Sequence, residues 1–245
     1  MSHTKPSVKR VSWFRLSLAS SLMAGACLMG NVRGEEPPVA GAPLFKEATT
    51  EFTKMKSTLY QHQTRVDQVT GSYSYDCVGF VSYALKQAAP QAWASAFKAT
   101  GIEKGRIPSP ARYRAFFASL ATAPQLGWKA VTQAADLRPG DVVAWEQKTE
   151  SATGHAVVIG GTPVALPDDA WLVQVYDSTS SPHGADSRPG DERAQVLAAT
   201  GRHSGLGHGE MVFVADPASG ALIGYRWSLK AKTSIVPIAA GRATS

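Results

Sequence analysis

The sequence predicts an α+β domain, with N-terminal helices packed on an antiparallel sheet of about five to six strands. Three observations lead there. Helix-forming patterns fall early in the chain. Short apolar runs rich in Val and Ile fall late, and their connections are hairpin-like.

Taken in order, residues 35–45 (EEPPVAGAPLF) are rich in Pro, Gly and Ala and read as a linker, and 46–58 as a first helix. The stretch SYSYD reads as a polar, aromatic loop. From Cys77 to Gln87, the apolar residues Val78, Phe80, Val81, Tyr83, Ala84 and Leu85 predict a helix buried on most sides, which Pro90 ends. Ser109 as N-cap and Pro110 at the first helical position start another. LRPGDVVAW is a Pro-Gly turn feeding a strand, Asp141 to Trp145. HAVVIGG supplies a second, His155 to Ile159, and WLVQVYD a third, Trp171 to Asp177. EMVFVAD and ALIGYRWSL read as a hairpin around PASG. GRHSGLGHGE reads as a mobile, glycine-rich loop at the rim of a cleft. RPGD recurs at 138–141 and 188–191, where turn chemistry accounts for it. The domain is expected over 46–232, with 233–245 as a C-terminal tail.

Charge is unevenly placed. The chain has 25 Lys and Arg against 19 Asp and Glu. Residues 1–34 carry Lys5, Lys9, Arg10, Arg15 and Arg33 and no acid, which leaves 20 basic against 19 acidic side chains beyond them. No nucleic-acid footprint is expected from that balance. A positive start, the apolar run Leu16–Gly30, and Val32 and Gly34 at small-residue positions read as a signal peptide over 1–34, cleaved after Gly34. The run is too short for a stable membrane span. Lipoprotein processing at Cys27 is the rival, but AGA before it lacks the usual Leu. The expectation is a periplasmic or secreted monomer in which Cys77 is the single cysteine, without a disulfide partner.

Asp76 is a good N-cap residue and would place Cys77 in the first helical turn. There, unpaired backbone N–H groups and the positive dipole end favour a thiolate and offer donors to an oxyanion. An ordinary buried cysteine is the equal alternative from position alone. His155, at the mouth of an apolar strand, is the candidate base, with a capping or solvated histidine as the other reading. Asp177, ending the next strand, is the candidate orienting group, with a turn starter before STSS as the other reading; His183 is the alternative orienter.

With these residues in view, DCVGFVSYAL, LRPGDVVAW and GHAVVIGG, in that order, resemble the signature blocks of NlpC-type cysteine peptidases, a branch of the papain-like superfamily. The matches are Asp76, Cys77, Gly79, Phe80 and Val81; Pro139, Gly140 and Asp141; Gly154 and His155. The resemblance implies a papain-like fold, Cys77 as nucleophile, His155 as base, and a third polar residue on the following strand, where Asp177 fits. It implies amide cleavage in bacterial cell-wall peptides, with no metal or other cofactor. An aromatic near the nucleophile helps the oxyanion in such enzymes, which points to Tyr73 or Tyr75, with packing of the loop as the equal alternative. Departures are Val78 in place of the usual Ser, an Asp as third residue, a long connection GGTPVALPDDA, and the unplaced segment SSPHGADSRPGDERAQ.

A non-catalytic wall-binding domain and an acyltransferase of the same fold are the competing functions. The retained Cys, His and Asp speak against the first, and product analysis separates the second. His203, His208 and Glu210, with His183, fit no standard zinc spacing, so metal binding is not expected.

Overall fold

The computed structural model describes residues 41–147 and 153–244, within one unit. The expected signal peptide, its cleavage site, Cys27 and most of the expected linker lie outside the described residues. No helix among those described is long and apolar enough to cross a membrane.

The fold is α+β. Along the chain run α1 (Ala42–Lys54), β1 (Ser57–Leu59), β2 (Arg65–Asp67), β3 (Ser72–Ser74), α2 (Cys77–Ala88), α3 (Pro90–Ala99) and α4 (Pro110–Ser119). Strands follow: β4 (Trp128–Val131), β5 (Asp141–Glu146), β6 (Gly154–Ile159), β7 (Val164–Leu166), β8 (Ala170–Thr179), β9 (Val196–Leu197) and β10 (Arg202–His203). The last are β11 (Gly205–Ala215), β12 (Leu222–Arg226), β13 (Ser234–Ile235) and β14 (Ile238–Ala243).

The main sheet has nine strands in the order β13-β12-β11-β8-β6-β5-β14-β4, with β7 also on β8, and every pairing is antiparallel. The period of two along β5 and β6 sorts the core. Val142, Ala144, Ala156 and Val158 join the helices in one cluster, while Val143, Trp145, Val157 and Ile159 form a second with Val173, Val175, Met211 and Phe213. β12 contacts β14 although the two stand in opposite halves of the strand order, and the Trp145 and Tyr225 rings lie 4.5 Å apart. The sheet therefore curls around the second cluster.

Five expectations are corrected. The sheet exceeds the five to six strands expected, because short strands such as β4, β7 and β13 carry little periodic signal. Residues 233–245 are not a tail: β14 lies between β5 and β4. Its sequence, IAAGRA, is poor in β-formers, and it is held by position, with Arg242 forked onto the buried Asp141 at 2.7 and 2.9 Å. GRHSGLGHGE is not a loop, since β11 begins at Gly205 and pairs with β8 along its length. SYSYD contributes β3, and the first helix starts and ends four residues before the expected bounds, so that α1 takes up the last residues of the linker. The starts of α2 and α4 agree with the expectation, including Ser109 accepting from the Arg112 N–H at 3.4 Å.

Candidate active site

The Cys77 end is built locally. Asp76 is extended, and its Oδ1 accepts the Gly79 N–H at 2.8 Å, so Cys77 becomes the first residue of α2. The Phe80 N–H is taken by the Asp76 carbonyl. That leaves the N–H groups of Cys77 and Val78 as first-turn donors without an intrahelical acceptor. Cys77 is 5% exposed and Val78 is buried. Just ahead, Ser178 Oγ donates to the Tyr75 carbonyl at 2.6 Å and ties this loop to β8.

His155 arrives from β6. Gly154 has φ of 132°, and an added Cβ would sit 2.0 Å from the Trp145 carbonyl, so only glycine lets β6 begin against β5 there. His155 Nε2 bonds Asp177 Oδ2 at 2.6 Å. Cys77 lies near enough to the His155 ring to act on its protonation. Burial pushes the His155 pKa down. The charge on Cys77 and the hydrogen bonds from Asp177 and Cys77 outweigh it, and the ring stands at about 9.

Asp177 is fully buried and three side chains meet its carboxylate. Oδ2 also bonds His183 Nε2 at 2.8 Å, and Oδ1 is held by the Arg188 guanidinium. Burial alone would raise its pKa. The electrostatic pull of His183 and Arg188 and the hydrogen bonds of both histidines hold it well below the usual carboxylate range. Asp177 is an acceptor, the role an orienting group for His155 requires.

A cleft of about 460 Å³ opens over His155, with Tyr60, Trp145, Thr179, Tyr225 and Trp227 among its walls. Trp227 lies 5.3 Å from the His155 ring and 4.0 Å from His183. A larger cavity of about 890 Å³, lined by His62, Lys86 and Arg106, follows the other side of α2 and does not include His155.

The fold thus brings Cys77, His155 and Asp177 together, and adds His183 as a second partner of Asp177 rather than a substitute for it. Tyr73 and Tyr75 do not join them. Both are buried, and Tyr75 donates to Glu51 of α1 at 2.6 Å. The cleft aromatic near Cys77 is Tyr60. Burial and the neighbouring charges of Cys77, Asp76 and Asp177 raise its pKa, so the phenol stays a neutral donor. The sequence readings missed Tyr60, Trp227 and Arg188. Arg188 lies in the second RPGD and carries more than a turn; no local pattern signals that role.

No family model, curated protein or solved structure matches this chain.

Of the histidines weighed for zinc, His203 bonds the Ala194 carbonyl at 2.6 Å and His208 packs against Phe52 and Tyr176. The described residues spaced to surround a cation are His155, Asp177 and His183. Their contacts at 2.6 and 2.8 Å are hydrogen-bond lengths. Two ligands of a tetrahedral zinc stand about 3.3 Å apart, and the Arg188 cation already occupies the same carboxylate. The geometry is that of a hydrogen-bonded relay.

Proposed function

We propose that this chain is a cysteine hydrolase of the NlpC type, with a papain-like fold, that cleaves amide bonds in bacterial cell-wall peptides. The observation that carries the reading is the buried cluster, with Cys77 beside the His155 ring and Asp177 bonded to its Nε2. Action on peptidoglycan fits an exported chain, which is how the N-terminal apolar run reads.

The thiolate of Cys77 attacks the carbonyl carbon of the scissile amide. Charge develops on the carbonyl oxygen, and the Cys77 and Val78 N–H groups, with the Tyr60 hydroxyl, are the donors available to it. His155 gives its proton to the leaving amine, and the C–N bond breaks to leave a thioester. His155 then takes a proton from water, whose oxygen attacks the thioester, and the acid leaves as Cys77 regains its thiolate. Asp177 holds the ring in the tautomer and orientation both steps need.

Purified peptidoglycan incubated with the protein should release soluble fragments or new amino groups, identified by mass spectrometry. Cys77→Ala should abolish release, and full activity in that variant would end the proposal. Binding to the wall without products would favour the wall-binding alternative, and transfer to an added amine the acyltransferase.

A further inference from the structure

The segment from Ser180 to Ala194 has no counterpart in the signature blocks, and it supplies both groups that hold Asp177 from behind. It lies along β11. Gly184 and Glu210 exchange backbone hydrogen bonds at 3.1 and 2.6 Å, and the Ser187 N–H donates to the His208 carbonyl at 2.8 Å. Asp186 organises the segment from within, accepting the His183 and Arg188 N–H groups, each at 2.8 Å, and the Arg188 guanidinium at 2.6 Å. Two glycines of β11 make room for it. A Cβ on Gly207 would lie 2.7 to 2.8 Å from the Arg188 side chain, and one on Gly209 would lie 3.0 Å from both the Gly184 carbonyl and His183 Cβ.

We propose that this segment is a clamp for the orienting carboxylate, with Arg188 as its main positioning residue and His183 as its second support. The proposal rests on the Cys77–His155–Asp177 reading above. Arg188 is fully buried, and its donors are spent on the Gly205 carbonyl, Asp186, and the carboxylate and carbonyl of Asp177. Burying such an ionic cluster is a poor way to gain stability, because well-packed apolar side chains do as well or better. What the cluster secures is a state: Asp177 charged, with Oδ2 aimed at His155. Without Arg188, burial drives the carboxyl toward its neutral acid, and His155 loses the anion behind it. The segment that the sequence leaves unplaced and the glycine run of β11 are two halves of one device.

A double-substitution cycle tests this in the full-length protein. The first readout is the rate of iodoacetamide alkylation of Cys77 at pH 7, followed by peptide mass spectrometry to separate it from Cys27. The second is the NMR titration of the His155 ring. Arg188→Met should slow alkylation about tenfold and lower the His155 titration from about 9. In an Asp177→Asn background the same substitution should change neither, because Arg188 acts through Asp177. Additive effects in the two backgrounds would overturn the clamp. If Arg188→Met does not fold, Arg188→Lys, which keeps the charge and loses the fork, takes its place with about a threefold effect and the same criterion. Alkylation needs no substrate. A chain that releases nothing from peptidoglycan yet shows the coupling retains the clamp and loses only the hydrolase reading.

Discussion

Neighbours in sequence assemble the Cys77 end of the site, whereas the Asp177 end is assembled by residues that the sheet brings together. Asp76 caps the helix that begins with the very next residue. Asp177 is met by His155 from 22 positions away, by His183 from 6 and by Arg188 from 11, on segments that β6, β8 and β11 bring into line. The contrast teaches where each end is vulnerable. Capping is a local free-energy term that fails by degrees. A buried ionic cluster fails abruptly, because removing one partner leaves an uncompensated charge.

Substitutions at the two ends should therefore differ in size. Asp177→Asn keeps the shape and removes the anion, and amide hydrolysis should fall by about a thousandfold with little change in KM, as measured by steady-state kinetics. Gly207→Ala touches no reacting group. Its methyl meets Arg188, and turnover should fall about tenfold while the melting temperature moves by only a few degrees, read by kinetics and calorimetry together. A loss of stability without a loss of turnover would break the contrast.

At the nucleophile end, Asp76→Ala should cost about 1 kcal/mol of stability in denaturant unfolding, with a smaller loss of rate than at Asp177. The smallest effect on turnover belongs to Glu51, under the nucleophile loop. It is 1% exposed, accepts from Tyr75, and has no hydrogen-bond partner for Oε1 among the described residues. Burial raises its pKa from 4.5 to about 8, a rise the Tyr75 hydrogen bond only partly offsets. Between those values the folded state holds a proton that the unfolded chain has released. The contribution of Glu51 to stability is therefore fullest below about pH 4.5 and is lost as pH rises toward about 8. Glu51→Gln should flatten that slope in melting temperatures taken from pH 5 to 8 and leave turnover at pH 7 nearly unchanged.

What was legible in the sequence divides along the same line. Asp76, Cys77, Gly154 and His155 could be picked out because a cap and a strand mouth are written in adjacent residues. Asp177 was reachable through the strand it ends. Tyr73 and Tyr75 stand close to Cys77 in sequence, but their side chains are buried in the core, and Tyr60, earlier in the chain, stands in the cleft. The two RPGD stretches are identical in letters and different in use. In the first, Asp141 anchors Arg242; in the second, Arg188 holds Asp177. That distinction is made by strand register. β14 escaped for a related reason: Ala and Gly report little about strand formation until neighbours on both sides give them ladders to join.

The place of β14 also governs when the sheet is completed. β5 and β4 are separated in space until a strand made much later comes between them, and the Asp141–Arg242 contact spans 101 positions. A chain emerging from its ribosome exposes the unpaired edge of β5 throughout that interval. Pairings so distant are slow to form and open to association meanwhile. Escort of the nascent chain, as much as final stability, should set how much working protein a cell obtains.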